Sequence, residues 1–177
     1  ASTVGGGVYN YATSLYSTIG GGYANITSGS SSTVGGGYAN IASGSSSTVG
    51  GGLYNDAQAD YATISGGGPS DTGNATTTNN RVTDDYGTIG GGGNNQAGDN
   101  AGFTLNATNA TVAGGFSNTA SGPFSAVGGG DSNTAGPFAT VAGGTLNDAQ
   151  ADYATISGGG PSDFVNPTTT NNRVTDD

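Results

Sequence analysis

Six amino-acid types are missing from the chain, and their absence excludes several classes of protein. The 177 residues contain no Cys, Met, Trp, His, Lys or Glu. Without Cys, the chain has no disulfide framework and no thiolate chemistry. Without His, Cys, Lys and Glu, most side chains that serve in acid–base and nucleophilic catalysis are missing. We therefore predict that the protein is not an enzyme.

Charge is scarce and almost all of one sign. Twelve Asp and two Arg give a net charge of −10 at pH 7. A chain without a basic patch is a poor partner for nucleic acid. No apolar run is long enough to cross a bilayer, so we expect no membrane insertion by this segment. We expect copies of the chain itself to be its partners.

Glycine is abundant, and its spacing reveals a repeat. A Thr-Val-Gly-Gly or Thr-Ile-Gly-Gly string, with small changes, recurs along the whole chain, usually every 15 residues. Its β-branched residue is Val4, Ile19, Val34, Val49, Ile64, Ile89, Val112, Val127, Val141 or Ile156. A period of this length with one fixed β-branched residue is typical of a parallel β-solenoid. The sequence therefore predicts an all-β solenoid, or β-roll, of about ten 15-residue coils.

Other columns of the repeat suggest what each coil does. Gly-Gly after the β-branched residue suits a corner with positive φ or crowded backbones. An Asn six residues after it suits a second corner, in the left-handed region, and can form a ladder from coil to coil. The predicted ladder consists of Asn10, Asn25, Asn40, Asn55, Asn95, Asn118, Asn133 and Asn147. We expect the β-branched residue, a small residue and, in six coils, an aromatic side chain to fill the core.

The repeat is interrupted and also duplicated. We predict one solenoid array over residues 1–177, with insertions near 72–85, 99–108 and 164–177. Residues 55–71 recur as 147–163, and 76–85 recur as 168–177, which gives a superperiod of 92 residues. If a second copy of the chain followed the first, its Val4 would stand four residues after Asp177, just as Ile89 stands four residues after Asp85. The spacing of the repeat would therefore continue from one copy to the next. This predicts head-to-tail stacking through uncapped solenoid ends, a contact that produces fibres.

Aspartates are concentrated near the interruptions and form the candidate metal site. Asp56 and Asp71 share one position of the repeat in neighbouring coils, and Asp60 and Asp85 share another. Like charges about 5 Å apart need neutralisation, and Ca²⁺ is the cation that prefers carboxylate ligands. The candidate ligands are Asp56, Asp60, Asp71, Asp85, Asp148, Asp152, Asp163 and Asp177. Arg81 and Arg173 offer an alternative counter-charge, and a solvated acidic edge is the simplest alternative.

Polar surface residues suggest two further roles. Asn74, Asn106 and Asn109 lie in Asn-x-Ser/Thr sequences within the insertions and are candidate glycosylation sites. The Thr that precedes the β-branched residue forms a column, and such columns suggest an ice-binding or carbohydrate-binding surface. The residue two positions after this Thr is nearly always Gly or Ala, so each coil adds only one Thr to this surface and the Thr side chains form a single row.

At residues 32–44, the sequence STVGGGYANIASG resembles the head repeats of trimeric autotransporter adhesins. The resemblance covers most of the chain outside the insertions. It implies a parallel β-roll, three chains wound side by side, and adhesion at the cell surface. Two functions follow as hypotheses: a structural unit of an extracellular surface filament, and a trimeric adhesin head that binds host or matrix ligands.

Overall fold

Twenty two-residue strands form two parallel sheets in a computed structural model of the chain, which describes residues 1–163 and 171–175. The first sheet contains β1 (Thr3–Val4), β3 (Thr18–Ile19), β5 (Thr33–Val34), β7 (Thr48–Val49), β9 (Thr63–Ile64), β11 (Thr88–Ile89), β13 (Thr111–Val112), β15 (Ala126–Val127), β17 (Thr140–Val141) and β19 (Thr155–Ile156). The second contains β2 (Tyr11–Ala12), β4 (Ile26–Thr27), β6 (Ile41–Ala42), β8 (Asp56–Ala57), β10 (Arg81–Val82), β12 (Gln96–Ala97), β14 (Thr119–Ala120), β16 (Thr134–Ala135), β18 (Asp148–Ala149) and β20 (Arg173–Val174).

Each coil contributes one strand to each sheet and stacks on the next coil in register. Val34 pairs with Val49 in the first sheet, and Ala42 pairs with Ala57 in the second. Isolated parallel bridges, such as Tyr23 to Tyr38, join the corners between the strands. At the spacing of neighbouring strands, ten coils rise about 48 Å. The predicted parallel β-solenoid of about ten coils is confirmed.

The core is a narrow seam between the two sheets. The β-branched residues of the first sheet, such as Val49 and Ile64, are fully buried against the small residues of the second, such as Ala57. The expected aromatic contribution to this core is wrong. Tyr61 and its counterparts lie on the outside, because the backbone at that position turns through a left-handed conformation and directs the ring outward.

Glycine is required where the corner has positive φ and the next coil is close. Gly37 has φ of 90°, and a Cβ there would lie 2.2 Å from the carbonyl oxygen of Gly52. The expectation that Asn occupies the left-handed region at the second corner is wrong. The positive φ falls on the preceding residue, as at Ala39 with φ of 52°, so that the Asn side chain points inward.

The insertions leave the coil path between regular strands. In the first, Asp71 caps a 3₁₀ helix over Thr72–Asn74, and the N–H of Ser70 donates to the carbonyl of Thr78. Strand β10 lies inside the predicted insertion 72–85, so the extra residues precede Arg81. Most of the predicted insertion 164–177 lies outside the described residues. No helix in the described part of the chain could span a bilayer.

Candidate functional site

An asparagine ladder runs the length of the solenoid. Asn40 is fully buried, and its Oδ1 accepts the backbone N–H of Asn55 at 2.9 Å and the Asn55 side-chain amide at 3.0 Å. The Nδ2 of Asn40 donates to the Gly36 and Gly52 carbonyls at 3.0 and 2.9 Å. The same amide donates to Asn25 Oδ1 of the preceding coil at 3.2 Å. One side chain therefore joins its own coil to both neighbouring coils, which satisfies polar groups that the narrow core would otherwise leave unpaired.

The ladder has a direction. In every described step, the Oδ1 atom accepts from the following coil, and the amide Nδ2 of that following Asn is a donor. The amide of Asn40, for example, donates to the Oδ1 atom of the preceding coil, while the same amide and backbone N–H groups, such as that of Thr33, donate to carbonyls of the following coil. The two faces of a coil therefore differ, and the C-terminal face of one coil matches the N-terminal face of the next, which is head-to-tail stacking.

Two members of the ladder were missed from the sequence. Asn80 donates to Asn55 Oδ1 at 3.1 Å, and Asn172 donates to Asn147 Oδ1 at 2.8 Å. Counting forward from Ile64 misses Asn80, because the insertion intervenes. Counting back nine residues from Ile89 finds it, at the same offset that separates Asn25 from Val34.

The carboxylate pair of Asp56 and Asp71 does not form. Arg81, rather than Asp71, is paired with Asp56 in the register of the second sheet, and Asp71 lies in the insertion. In the second copy, the guanidinium of Arg173 forms an ion pair with Asp148 at 3.2 Å. Partial burial raises the pKa of Asp56, while hydrogen bonding from Gln58 and the charge of Arg81 act in the opposite direction. The arginines therefore supply the counter-charge at this position.

Asp60 and Asp85 do lie in neighbouring coils, but each binds backbone. Asp60 Oδ1 accepts the N–H of Ser45 at 2.7 Å, and Asp85 Oδ1 accepts the N–H of Asp60 at 3.1 Å. The equivalent Asp152 and also Asp163 lie in the described part of the chain, and Asp177 lies outside it. Across residues 1–163 and 171–175, no three carboxylates converge in an arrangement that could hold a metal ion.

A buried carboxylate that the sequence did not reveal organises the second insertion. Asp84 is fully buried; its Oδ2 accepts the N–H of Asp99, and its Oδ1 accepts the N–H of Ala107, both at 3.1 Å. Regular coils carry Gly, Ala or Ser at this position, so the Asp in that column, repeated as Asp176 in the second copy of the sequence, was the available signal. The loop thus held presents Phe103 and Leu105, which are 76% and 75% exposed.

Exposed aromatic rings form short rows along the outside of the solenoid. Tyr23 and Tyr38 stack with ring centroids 5.0 Å apart, and Tyr61 and Tyr86 stack at 4.7 Å. A third row contains Phe124, Phe138 and Tyr153. Because these rings project from corners of successive coils, the coil spacing sets the distance between them.

The three candidate glycosylation sites are accessible. Asn74, Asn106 and Asn109 are all exposed. The amide of Asn74 donates to Asp71 at 2.7 Å, and that of Asn106 donates to Asp99. Their modification stays a prediction. The described residues enclose no pocket for a small molecule.

The fold defines a class of repeat protein, the parallel β-solenoid stabilised by an internal asparagine ladder. Residues 32–44 and 110–122 of this chain match the ubiquitous surface protein adhesin repeat family. Together with the β-solenoid, these two matches fit the head-repeat region of trimeric autotransporter adhesin-like proteins. No curated protein matches the chain. The matches indicate a repeat protein of the surface-adhesin type.

Proposed function

We propose that this chain is a structural subunit of an extracellular surface filament, in which copies stack head to tail. The direction of the asparagine ladder carries the proposal, because it makes the two faces of every coil complementary. The sheets support it as well, since each strand contacts only strands of its own and neighbouring coils. An architecture of this kind extends along one axis without changing its cross-section.

Electron microscopy of the purified chain at rising concentration tests the proposal. Unbranched filaments with an axial repeat of about 48 Å are expected, because ten coils stack at the strand spacing. Val4→Asp places a charge beside the exposed end of the core and should abolish the filaments. Thr3→Asp, on the outward side of the same strand, is the matched control and should preserve them. Discrete monomers or compact trimers at every concentration would overturn the proposal.

A second candidate function is an adhesin head that binds host or matrix ligands as a side-by-side trimer. The family matches favour it. The loop that displays Phe103 and Leu105 supplies a rigid apolar contact, since the buried Asp84 fixes its backbone. Beads coated with the chain should adhere to a decellularised matrix, and Phe103→Ser with Leu105→Ser should reduce that adherence. Equal adherence of the double variant would contradict a role for this loop.

A further inference from the structure

Two pairs of tyrosines on adjacent coils are stacked face to face and open to solvent. The rings of Tyr61 and Tyr86 have centroids 4.7 Å apart and an interplanar angle of 4°, and each residue is 52% exposed. The rings of Tyr23 and Tyr38 have centroids 5.0 Å apart and an angle of 8°. Backbone hydrogen bonds hold both pairs; the N–H of Tyr86, for example, donates to the carbonyl of Asp60 at 3.0 Å.

We propose that these two pairs are sites of oxidative cross-linking to dityrosine by hydrogen peroxide and a peroxidase. Each phenol gives up one electron and its proton, and the resulting radical carries spin on the ring carbons next to the oxygen. One such carbon of each ring forms the new C–C bond. The hydrogens on those carbons are lost as protons, the phenolic oxygens are reprotonated, and one H₂O₂ is reduced to two H₂O.

The stacked geometry favours coupling within a pair. Holding two reactants face to face converts a bimolecular encounter into an intramolecular step. The other ring contacts of this row are edge-on: Tyr9 meets Tyr23 at 88°, and Tyr38 meets Tyr54 at 61°. Hydrogen bonding with Tyr38 also raises the pKa of Tyr54.

The composition of the chain directs oxidation to tyrosine. Cys and Met are the side chains that peroxide oxidises most readily, and Trp and His are further sites of oxidation. The sequence contains none of these four. Radicals formed on this surface therefore end on its nine tyrosines, of which four lie in the two stacked pairs.

The link between Tyr61 and Tyr86 would close a loop around the first insertion. The two residues are 25 positions apart, and the 3₁₀ turn at Thr72–Asn74 lies between them. A covalent bond across this loop restricts the unfolded chain, as a disulfide does in other proteins. The coupled protein should therefore unfold at a higher temperature than the untreated protein.

Trypsin provides a direct test, because the chain has only two cleavage sites. Arg81 and Arg173 are its only basic residues, so Tyr61 and Tyr86 lie in different tryptic fragments. The purified chain is oxidised at low concentration with horseradish peroxidase and limited hydrogen peroxide, then denatured and digested. Fragments 1–81 and 82–173 should remain joined, with the fluorescence of dityrosine and a mass lower by two hydrogen atoms for each link formed.

Three variants identify the pairs. Tyr61→Phe and Tyr86→Phe should each release the two fragments, whereas Tyr153→Phe should not, because the Tyr153 ring stacks on Phe138. Tyr23→Phe should lower dityrosine fluorescence and leave the fragments joined. Fragments that separate after oxidation of the parent, or dityrosine found only in links between chains, would overturn the proposal.

Discussion

Removal of one asparagine from the ladder should strongly destabilise the solenoid. Asn40→Ala eliminates five hydrogen-bonding contacts; three of them, to Asn25 Oδ1 at 3.2 Å and to the Gly36 and Gly52 carbonyls, share the two hydrogens of the Asn40 amide. The backbone N–H of Asn55 then loses its acceptor in a fully buried position. At about 1 kcal/mol for each net hydrogen bond, with a penalty for buried groups left unpaired, the cost is about 3–5 kcal/mol.

Urea denaturation followed by circular dichroism measures this loss. Natural domains have stabilities of about 5–15 kcal/mol, so the variant should unfold at a much lower urea concentration. Asn106→Ala is the matched control, since its amide makes one exposed hydrogen bond, to Asp99. If Asn40→Ala lowers the free energy of unfolding by less than about 1 kcal/mol, or by no more than the control does, the hydrogen bonds of the ladder are not the main polar interactions that stabilise the coils.

A charged isostere provides an independent check of the same site. Asn40→Asp retains an acceptor for Asn55 but places a carboxylate beside the Gly36 and Gly52 carbonyl oxygens. Those acceptors, together with burial, should raise the pKa of the new carboxyl above its unfolded value. Stability is then greatest below the unfolded pKa and is lost as the pH rises through the folded pKa. A variant that becomes less stable on acidification would contradict this reasoning.

Three further changes test the fold at other points. Gly37→Ala should prevent folding, because its Cβ would lie 2.2 Å from a Gly52 backbone oxygen. Gly36→Ala should fold, because the nearest atom to its Cβ would be 3.8 Å away. Equal expression of the two variants as soluble protein would contradict this contrast. Thr27→Val should raise stability by about 1 kcal/mol in thermal denaturation, because it removes a buried hydroxyl oxygen that makes no hydrogen bond. Asp56→Asn should be more stable than the parent at neutral pH, because burial raises the pKa of Asp56 and so disfavours its charged form in the folded state. The difference in stability between variant and parent should shrink as the pH falls towards 3.8. A difference in stability that grows on acidification would contradict this reasoning.

The architecture could be predicted from the sequence because one column of the repeat is nearly invariant. A β-branched residue at a fixed interval, as at Val34 and Val49, can be buried in every coil only if the coils stack in register. The Asn six residues after the β-branched residue predicted the ladder for the same reason, because coils stacked in register place these side chains one above another. These inferences required the period alone and no knowledge of individual contacts.

The aromatic column was assigned to the core because its side chains are large and apolar, without regard to their position. Tyr61 precedes Ile64 by three residues, an odd number that already favours the opposite side of an alternating chain, and its φ of 58° turns the backbone at the corner so that the ring lies outside. Asp71 was placed beside Asp56 by counting forward through an insertion of unknown length. In the structure, the paired position belongs to Arg81, which follows the inserted residues.

The register of identical coils also governs how such a gene can change in length. Because each strand contacts only its own and adjacent coils, loss or gain of a whole repeat between Val34 and Val49 restores the same pairing on either side. Unequal recombination between repeats therefore changes the length of the protein in steps of about 4.8 Å. Residues that leave the coil path between strands, as around Thr72–Asn74, do not disturb the later coils, because Arg81 still pairs with Asp56. Natural variants of this protein should consequently differ by whole coils or in such loops.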